Sequence, residues 1–234
     1  MSEFTPTPRS RVRHLPRRAR YDKATIYAIL DAGLVAHVGF VDDSGGPVVI
    51  PVLYARRGDE LIVHGARGGR LQQHLAAGHE VSVSVALVDG LVLAKSAFNQ
   101  SVNYRSVVLF GRGRALTSPE EKLDALRVLT EHILPGQWAY VRPPTPKELN
   151  ATGVAAITIL EAAAKMRQGP PGDAEQDQDL PLWAGVLPTA LAFGAPQPAA
   201  HARGPLPPHV QAFLARQPRL VEPRPHASDE EAAP

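Results

Sequence analysis

A glycine-rich stretch with two arginines joins a predicted strand to a predicted helix, and its residue types suit an anion. It reads Val63-His64-Gly65-Ala66-Arg67-Gly68-Gly69-Arg70-Leu71. Glycines let backbone N–H groups approach an anion closely, and the start of a helix adds partial positive charge. Arg67 and Arg70 add forked, charged donors, so this corner predicts a phosphate monoester site. The alternative is a solvated surface turn. The stretch is not a P-loop, because the lysine-Ser/Thr ending is missing.

A second polar cluster, residues 96–106, leads into an apolar strand that starts at Val107. Amide, hydroxyl and guanidinium groups on a rigid strand offer donors and acceptors that suit the edge of a heterocycle. The candidates are Asn103, Tyr104, Arg105 and Ser106. The alternative is a helix cap followed by the start of a strand.

A third group lies near the end of the predicted sheet. Lys165 and Arg167 share one side of an extended segment and would face an anion, whereas Trp183 would stack on a flat ring. The alternatives are a solvated basic pair and a tryptophan in the core.

Several kinds of chemistry are excluded by composition or unsupported by spacing. The chain has no cysteine, which excludes disulfides, thiolate catalysis, iron–sulfur clusters and zinc sites built on cysteine. Its nine histidines show no H-E-x-x-H or similar spacing, so no metal site is predicted. No pair of catalytic carboxylates and no serine nucleophile elbow is evident, and the catalytic residues remain unassigned.

The elements that would position these clusters are mostly strands. Apolar residues recur with period two in residues 34–41, 47–54, 60–65, 80–88, 103–117 and 152–160, and residues 182–193 offer a last strand. Residues 42–46 predict a hairpin turn. Helices are predicted from Asp22 to Gly33, over residues 70–77, from a capping box at Ser118 to Leu134, and after a second capping box at Thr145. Closely spaced strands with few helices favour an antiparallel barrel or sandwich.

Three segments differ in composition. Residues 1–20 hold six arginines and form a basic N-terminal arm, either in solvent or laid over the protein as a strap. Residues 21–194 form the folded domain. Residues 195–234 are rich in proline and alanine and predict a mostly disordered tail. The net charge of +2 favours no particular partner, and no apolar run approaches the ~18 residues of a membrane span. We therefore expect a cytoplasmic protein without nucleic-acid or membrane partners.

Taken together, the clusters resemble the pyridoxamine 5′-phosphate oxidase-like, FMN-binding split-barrel family, in the branch of flavin-nucleotide-binding proteins related to nitroimidazole reductases. The resemblance runs in the family's order from about residue 18 to residue 190. It is carried by residues 18–22, Ile50-Pro51-Val52-Leu53-Tyr54, residues 64–70, residues 103–108, Lys165-Met166-Arg167-x-Gly-Pro-Pro and Trp183-Ala184-Gly185-Val186.

The resemblance implies a mainly β fold with flanking helices, a six-stranded antiparallel split β-barrel. It also implies a homodimer with two FMN molecules in clefts between the subunits. By position, Ile50, Pro51 and Val52 would place strand backbone against the isoalloxazine. The phosphate and ribityl chain would contact His64, Gly65, Gly69 and Arg70, with Arg67 close by. Residues Asn103, Tyr104, Arg105 and Ser106 would reach the flavin from a neighbouring strand, and Lys165, Arg167 and Trp183 would close the cleft.

Two departures from the family pattern bear on function. Ala66, Gly68 and Gly69 replace small hydroxyl residues of the phosphate loop, so backbone N–H groups and arginine must hold the phosphate. Asn99 and Gln100 stand where relatives tend to carry paired histidines, which puts any step assisted by those histidines in doubt.

The implied function is an FMN-dependent oxidoreductase that passes electrons from NAD(P)H to a small organic acceptor or oxygen. The alternatives are a flavin or haem carrier without turnover and a nucleic-acid binder that uses the arginine-rich arm. The low net charge and the absence of a recognised motif oppose the last of these. The substrate is not predicted.

Overall fold

Six long antiparallel strands close into a barrel in the computed structural model, which describes residues 2–217. In chain order the strands are β1 (Ala19–Arg20), β2 (Val35–Val41), β3 (Pro47–Arg57), β4 (Glu60–Ala66), β5 (Glu80–Leu93), β6 (Ser101–Ala115), β7 (Thr152–Arg167) and β8 (Gly185–Pro188). The barrel order is β7-β4-β3-β2-β5-β6, and pairing between β6 and β7 closes the ring. The two short strands extend it, β1 on β7 and β8 on β5. The predicted six-stranded antiparallel barrel is confirmed.

Strand alternation assigns side chains to the two faces of the wall. On β5, Val81, Val83 and Val85 are buried in the core, whereas Ser82 and Ser84 lie on the other face. The hairpin between β2 and β3 is held by Asp42, whose carboxylate accepts N–H bonds from Ser44 and Gly46 at 3.0 and 3.1 Å. The predicted hairpin is confirmed. It was predictable because its turn depends on hydrogen bonds between residues only a few positions apart.

The described residues form six α-helices. Five belong to the same unit as the barrel, α1 (Lys23–Ala32), α2 (Arg70–Ala76), α3 (Pro119–Ile133), α4 (Gln137–Tyr140) and α5 (Pro146–Ala151), and α6 (Pro208–Ala215) lies further along the chain. The predicted capping box at Thr145 is complete, because its side chain and that of Glu148 each bond the other's backbone. The capping box predicted at Ser118 is wrong in its second half. Ser118 does accept from the backbone of Glu121, but the Glu121 carboxylate pairs with Arg114 at 2.6 Å instead.

The apolar side chains form two clusters. The larger fills the barrel and includes Ile26, Leu30, Val83, Leu109 and Ile157. The smaller lies between α3 and the outside of the barrel, and consists of Ala55, Ile62, Leu116, Ala125, Leu129, Val154 and Ala156. A buried leucine cut back to alanine typically costs about 2–5 kcal/mol, and the larger cluster contains more buried leucines than the smaller one.

The arginine-rich N-terminal segment crosses the barrel wall as a strap. Phe4 is buried in the main core, and its N–H donates to the carbonyl of Tyr21 at 3.0 Å. Arg9 forms ion pairs with Glu80 on β5 and Glu161 on β7, at 3.2 and 2.6 Å. One guanidinium thereby ties the strap to two strands.

The chain divides into two units at Thr189 and Ala190. The first contains the barrel. The second contains α6, and Phe193 and Phe213 meet there edge to face with ring centroids 5.1 Å apart. The tail predicted for residues 195–234 is described only to residue 217, and the rest lies outside the described residues. None of the described helices has the length and apolarity needed to span a membrane.

Candidate functional site

The outer face of β2 and β3 is exposed and apolar. Val35 lies opposite Leu53, His37 opposite Pro51, and Val41 opposite Pro47. Val41 and Val49 are 60% and 64% exposed. Such a contiguous apolar patch usually marks a surface that binds another protein or a flat ligand.

The predicted triplet on β3 divides between the two faces. Pro51 is on the exposed outer face beside His37, which also pairs with Ser84 of β5. Ile50 and Val52 point inward and pack against the main core. Their side chains support the strand from inside, so only their backbone is available to a ligand on the outer face.

The two arginines of the glycine–arginine corner (residues 64–70) line different cavities. Arg70 lines a cavity with Asp42, Asp43 and the rings of His74 and His79. Its positive charge contributes to lowering the pKa of Asp42, after the larger effect of hydrogen bonds from Ser44 and Gly46. Arg67 lines a separate cavity on the other side of α2. Arg67 and Arg70 therefore do not contact a single phosphate together within one protomer.

The remaining corner residues leave space for a ligand. His64 is exposed, and Gly65 faces Gly153 across the β4–β7 pairing. Gly69 precedes α2, and its N–H is already bonded to the carbonyl of Ala66 at 2.9 Å.

The predicted cluster on β6 is brought next to the predicted pair on β7. Tyr104 lies opposite Arg167, and Ser106 lies opposite Lys165. The Arg167 guanidinium donates to the Asn103 side-chain oxygen at 2.5 Å. This contact orients both side chains at the rim of the barrel.

Arg105 is already neutralised. It makes a two-pronged ion pair with Asp89, with nitrogen–oxygen distances of 2.9 and 2.7 Å. The Asp89 carboxylate raises the pKa of Arg105, so the guanidinium stays charged. Its role in this arrangement is to hold the far end of β5 to β6.

The corner and the rim are far apart in one chain. Gly153, beside the corner, and Lys165, at the rim, are both on β7 and separated by twelve residues. At about 3.3 Å per residue, that is roughly 40 Å along the strand. Trp183 is 66% exposed just before β8, where a Cβ on Gly185 would lie 2.8 Å from its ring. A single protomer does not bring the predicted residues into one site.

The structure brings His74 and His79 together beside Val41 and Val49 of the apolar face, and the sequence motifs did not predict this cluster. The rings of Phe40 and His74 lie 4.5 Å apart, and those of His74 and His79 lie 4.9 Å apart. They border a cavity of about 640 Å³ whose other walls include Val41, Val49 and Phe110. The only signal in the sequence was the H-x₄-H spacing of His74 and His79. On a continuous helix this spacing would place the two side chains on different sides, but α2 ends at Ala76, between them. Within the described residues, no group of three or more potential metal ligands occurs.

The family model described as pyridoxamine 5′-phosphate oxidase matches residues 22–166, more than half of the chain. Among the curated proteins, none matched this chain. Many solved structures are similar to it.

One is the flavocytochrome Anf3 from Azotobacter vinelandii, with 39% identity and a TM-score of 0.83, covering 89% of this chain and 98% of that one. Another is the FAD and haem binding protein from Mycobacterium smegmatis, with 37% identity and a TM-score of 0.79, covering 83% and 96%. A candidate 5-nitroimidazole antibiotic resistance protein from Bacteroides thetaiotaomicron is 21% identical, has a TM-score of 0.51 and covers 63% and 85%, a likeness of fold. The barrel, its strand order and the family match agree, and the chain belongs to the pyridoxamine 5′-phosphate oxidase family.

Proposed function

We propose that this protein binds a flavin and works as a redox protein, assembled as a homodimer. The observation that carries the proposal is the 39% identity to a flavocytochrome over nearly the full length of both chains. The exposed apolar face around Pro51 supports it, because a flat aromatic ring and a second protomer both require such a surface.

In a homodimer, the corner of one protomer would lie next to the rim of the other. In this arrangement the apolar faces of β2 and β3 meet, and the flavin lies at the edge of the contact. Arg70 and His64 of one chain would hold the phosphate, and the absence of a side chain at Gly69 would let it approach closely. Lys165 of the other chain would approach the ring, with Arg167 held beside it by the Asn103 side chain.

The predicted contacts are the same for FMN and FAD. They concern the isoalloxazine, the ribityl chain and the first phosphate, which FMN and FAD share. FMN is therefore the minimal ligand for these residues. The 37% identical Mycobacterium smegmatis protein is described as binding FAD, which would add an adenylate beyond the same phosphate. Mass spectrometry of the cofactor released from purified protein assigns one of the two.

A bound flavin would supply two-electron chemistry, taking hydride from a reduced nicotinamide and passing electrons to a small organic acceptor or oxygen. The chain's own contribution would be positional. His37 and Pro51 shape the surface under the ring, and the ion pairs at the rim keep the strands in register. Because NAD(P)H is the proposed donor, we place the protein in the cytoplasm.

Absorbance of the purified protein tests the flavin. We expect a yellow protein whose visible flavin spectrum is bleached anaerobically by NADH or NADPH. The Arg70→Met variant should weaken flavin binding about tenfold or more, since a charge-assisted phosphate contact is lost. Arg112→Met, an exposed arginine without a hydrogen-bond partner among the described residues, is the matched control. A colourless protein that binds neither FMN nor FAD in titration contradicts the proposal. A flavin spectrum that no nicotinamide bleaches would indicate a carrier.

A haem site is the second candidate function, and the histidine-lined cavity favours it. Its volume of about 640 Å³ and its valine and phenylalanine walls suit a macrocycle, and an imidazole is an ordinary axial ligand of haem iron. The His74 Nε2 atom is 3.2 Å from the carbonyl of Glu80, whereas the His79 imidazole makes no hydrogen bond within the described residues. These residues fit the group, with His79 as the proposed ligand and His74 as its neighbour.

A Soret band in protein purified after haem supplementation tests this candidate. His79→Ala should abolish the band and leave the flavin spectrum unchanged, because His79 is not among the residues proposed to hold the flavin, although it lines a cavity with Arg70. His201→Ala removes an exposed histidine and should change neither. A Soret band that persists in both His79→Ala and His74→Ala would contradict the assignment.

A further inference from the structure

A second polar cavity lies on the side of α2 away from the histidine cluster. Its volume is about 490 Å³, and it is bordered by Arg67, Gln72, Thr117, Lys122, Asn150 and Thr152. These residues come from the loop after β4, from α2, from the segment between β6 and α3, from α3 itself, and from the junction of α5 and β7. Five separate parts of the chain thus converge on one space.

The two cations of this cavity have no acidic partner among the described residues. Lys122 is only 9% exposed, and its ammonium donates to the carbonyl of Leu149, which uses one of its three donors. Burial lowers the pKa of Lys122, and the nearby charge of Arg67 lowers it further. Arg67 is exposed, whereas Lys122 is buried, and a buried charge is normally paired with an opposite one. Lys122 therefore lacks the anion that its burial calls for.

The neighbouring carboxylates are engaged elsewhere. Glu121 pairs with Arg114 at 2.6 Å, and Glu148 pairs with Arg142 at 2.5 Å. No carboxylate residue lines the cavity in the described part of the chain. Protein groups in their present pairing therefore do not neutralise Lys122 and Arg67.

Gln72 adds a second, independent observation. The residue is 7% exposed, and its amide makes no hydrogen bond within the described residues. No fully buried side-chain nitrogen or oxygen among those residues lacks a partner, so the Gln72 amide still reaches the open space of the cavity. The absence of a side chain at Gly153 gives it room, since a Cβ there would lie 3.1 Å from the Gln72 side-chain oxygen and 3.0 Å from the Arg67 Cα. The amide thus lies in the cavity wall with free donor and acceptor capacity.

We propose that this cavity binds a small organic phosphate monoester, at a site distinct from the proposed flavin and haem sites. Arg67 and Lys122 would neutralise the phosphate dianion, and Gln72, Thr117 and Asn150 offer further hydrogen bonds to its oxygens. The walls formed by Ala76, Leu116 and Val154 would contact the apolar part of the ester. The volume leaves room for an organic group, since inorganic phosphate alone would fill only a part of it.

Isothermal titration of the purified full-length protein with phenyl phosphate tests the proposal. Inorganic phosphate, benzoate and phenol are the comparison probes, in phosphate-free buffer. We expect phenyl phosphate to bind more tightly than about 1 mM, inorganic phosphate more weakly, and phenol not at all. Absent heat with phenyl phosphate, or tighter binding of benzoate, would overturn the assignment to a phosphate ester.

Variants locate the binding. Lys122→Met and Arg67→Met should each weaken phenyl phosphate binding about tenfold or more, and Lys122→Arg should retain most of it. Lys147→Met removes an exposed lysine as a control. Arg70→Met separates this site from the proposed flavin corner, because it should lower flavin content and leave phenyl phosphate binding intact. If Lys122→Met fails to fold, Gln72→Leu and Arg67→Met carry the test. Binding that is lost with Arg70→Met, or kept in both Arg67→Met and Gln72→Leu, contradicts the proposal.

Discussion

The arginines of this protein fall into two groups, those paired with another side chain and those that line a cavity without an ion pair. Arg105 is held by Asp89, Arg9 by two glutamates, and Arg167 by the Asn103 amide. Arg67 and Arg70 form no ion pair within the described residues, and each lines a cavity. A paired arginine is a structural tie, whereas an unpaired one beside a cavity has charge left for a ligand.

The pairing of Arg9 makes the strap sensitive to acid. Bonds from Arg9 and Thr7 lower the pKa of Glu161, and Arg9 lowers that of Glu80. A carboxylate with a lowered pKa stabilises the fold above its ordinary pKa, and that contribution is lost as the pH falls through the lowered value. At neutral pH, Arg9→Met should therefore lower Tm by about 2 °C relative to wild type.

That difference in Tm should shrink toward zero as the pH is brought below the carboxyl range. Arg11→Met, which removes an exposed arginine of the same strap, is the control and should leave Tm unchanged at every pH. A difference for Arg9→Met that is constant with pH would show that the ion pairs are not its cause. Thermal unfolding followed by circular dichroism measures all three proteins.

At the scale of elements, glycines set how closely α2 approaches the barrel. A Cβ on Gly113 of β6 would lie 2.5 Å from the Leu75 Cα and 2.6 Å from its carbonyl oxygen. Both are backbone atoms that cannot move independently of the helix. The absence of a side chain therefore allows α2 to seal this end of the barrel with Leu71 and Leu75 buried.

Gly113→Ala should lower the free energy of unfolding by about 1–3 kcal/mol, because overpacking forces α2 away from β6. Gly68→Ala, in the loop before α2, meets nothing within 4 Å and should change the free energy by less than about 0.5 kcal/mol. Urea unfolding gives both values. Equal effects of the two substitutions would mean that general glycine entropy, rather than contact with Leu75, is responsible.

At the scale of the whole molecule, the corner and the rim require a second protomer to form one site. The exposed valines of β2 and β3 offer the surface for that contact. An aspartate at position 49 would weaken this contact in two ways. The apolar area that Val49 buries between protomers would be lost, and a carboxylate would have to be desolvated. Val49→Asp should therefore shift the protein to monomer in light scattering and reduce flavin binding at the same time. Val141→Asp, at an exposed valine away from this face, should do neither.

Mixing two defective chains tests the shared site directly. If one chain supplies Arg70 and the other supplies Lys165, a heterodimer of Arg70→Met and Lys165→Met chains has one intact site and one doubly altered site. Its flavin binding should recover to about half of the wild-type capacity, whereas each homodimer stays deficient. A heterodimer with no recovery would place both residues in the same protomer's site.

The local elements of the fold were predictable from the sequence. Alternating valines on β5, the aspartate turn between β2 and β3, and the caps at Asp22 and Thr145 each depend on residues within a few positions of one another. The half-formed box at Ser118 failed because a distant side chain, Arg114, competed for Glu121. Most of the predicted rim residues were also found together, since β6 and β7 pair from Tyr104 opposite Arg167 to Ala115 opposite Ala155.

The sequence by itself determined the strands, most helix ends and the family to which the chain belongs, because alternation, capping and motif order are written in neighbouring residues. Only the tertiary structure decided that Arg67 and Arg70 line different cavities, that His74 and His79 share one, and that Lys122 is buried without a carboxylate. Those relations depend on how α2 and α3 pack on the closed barrel. Packing brings together residues whose separation along the chain carries no information about their distance in space.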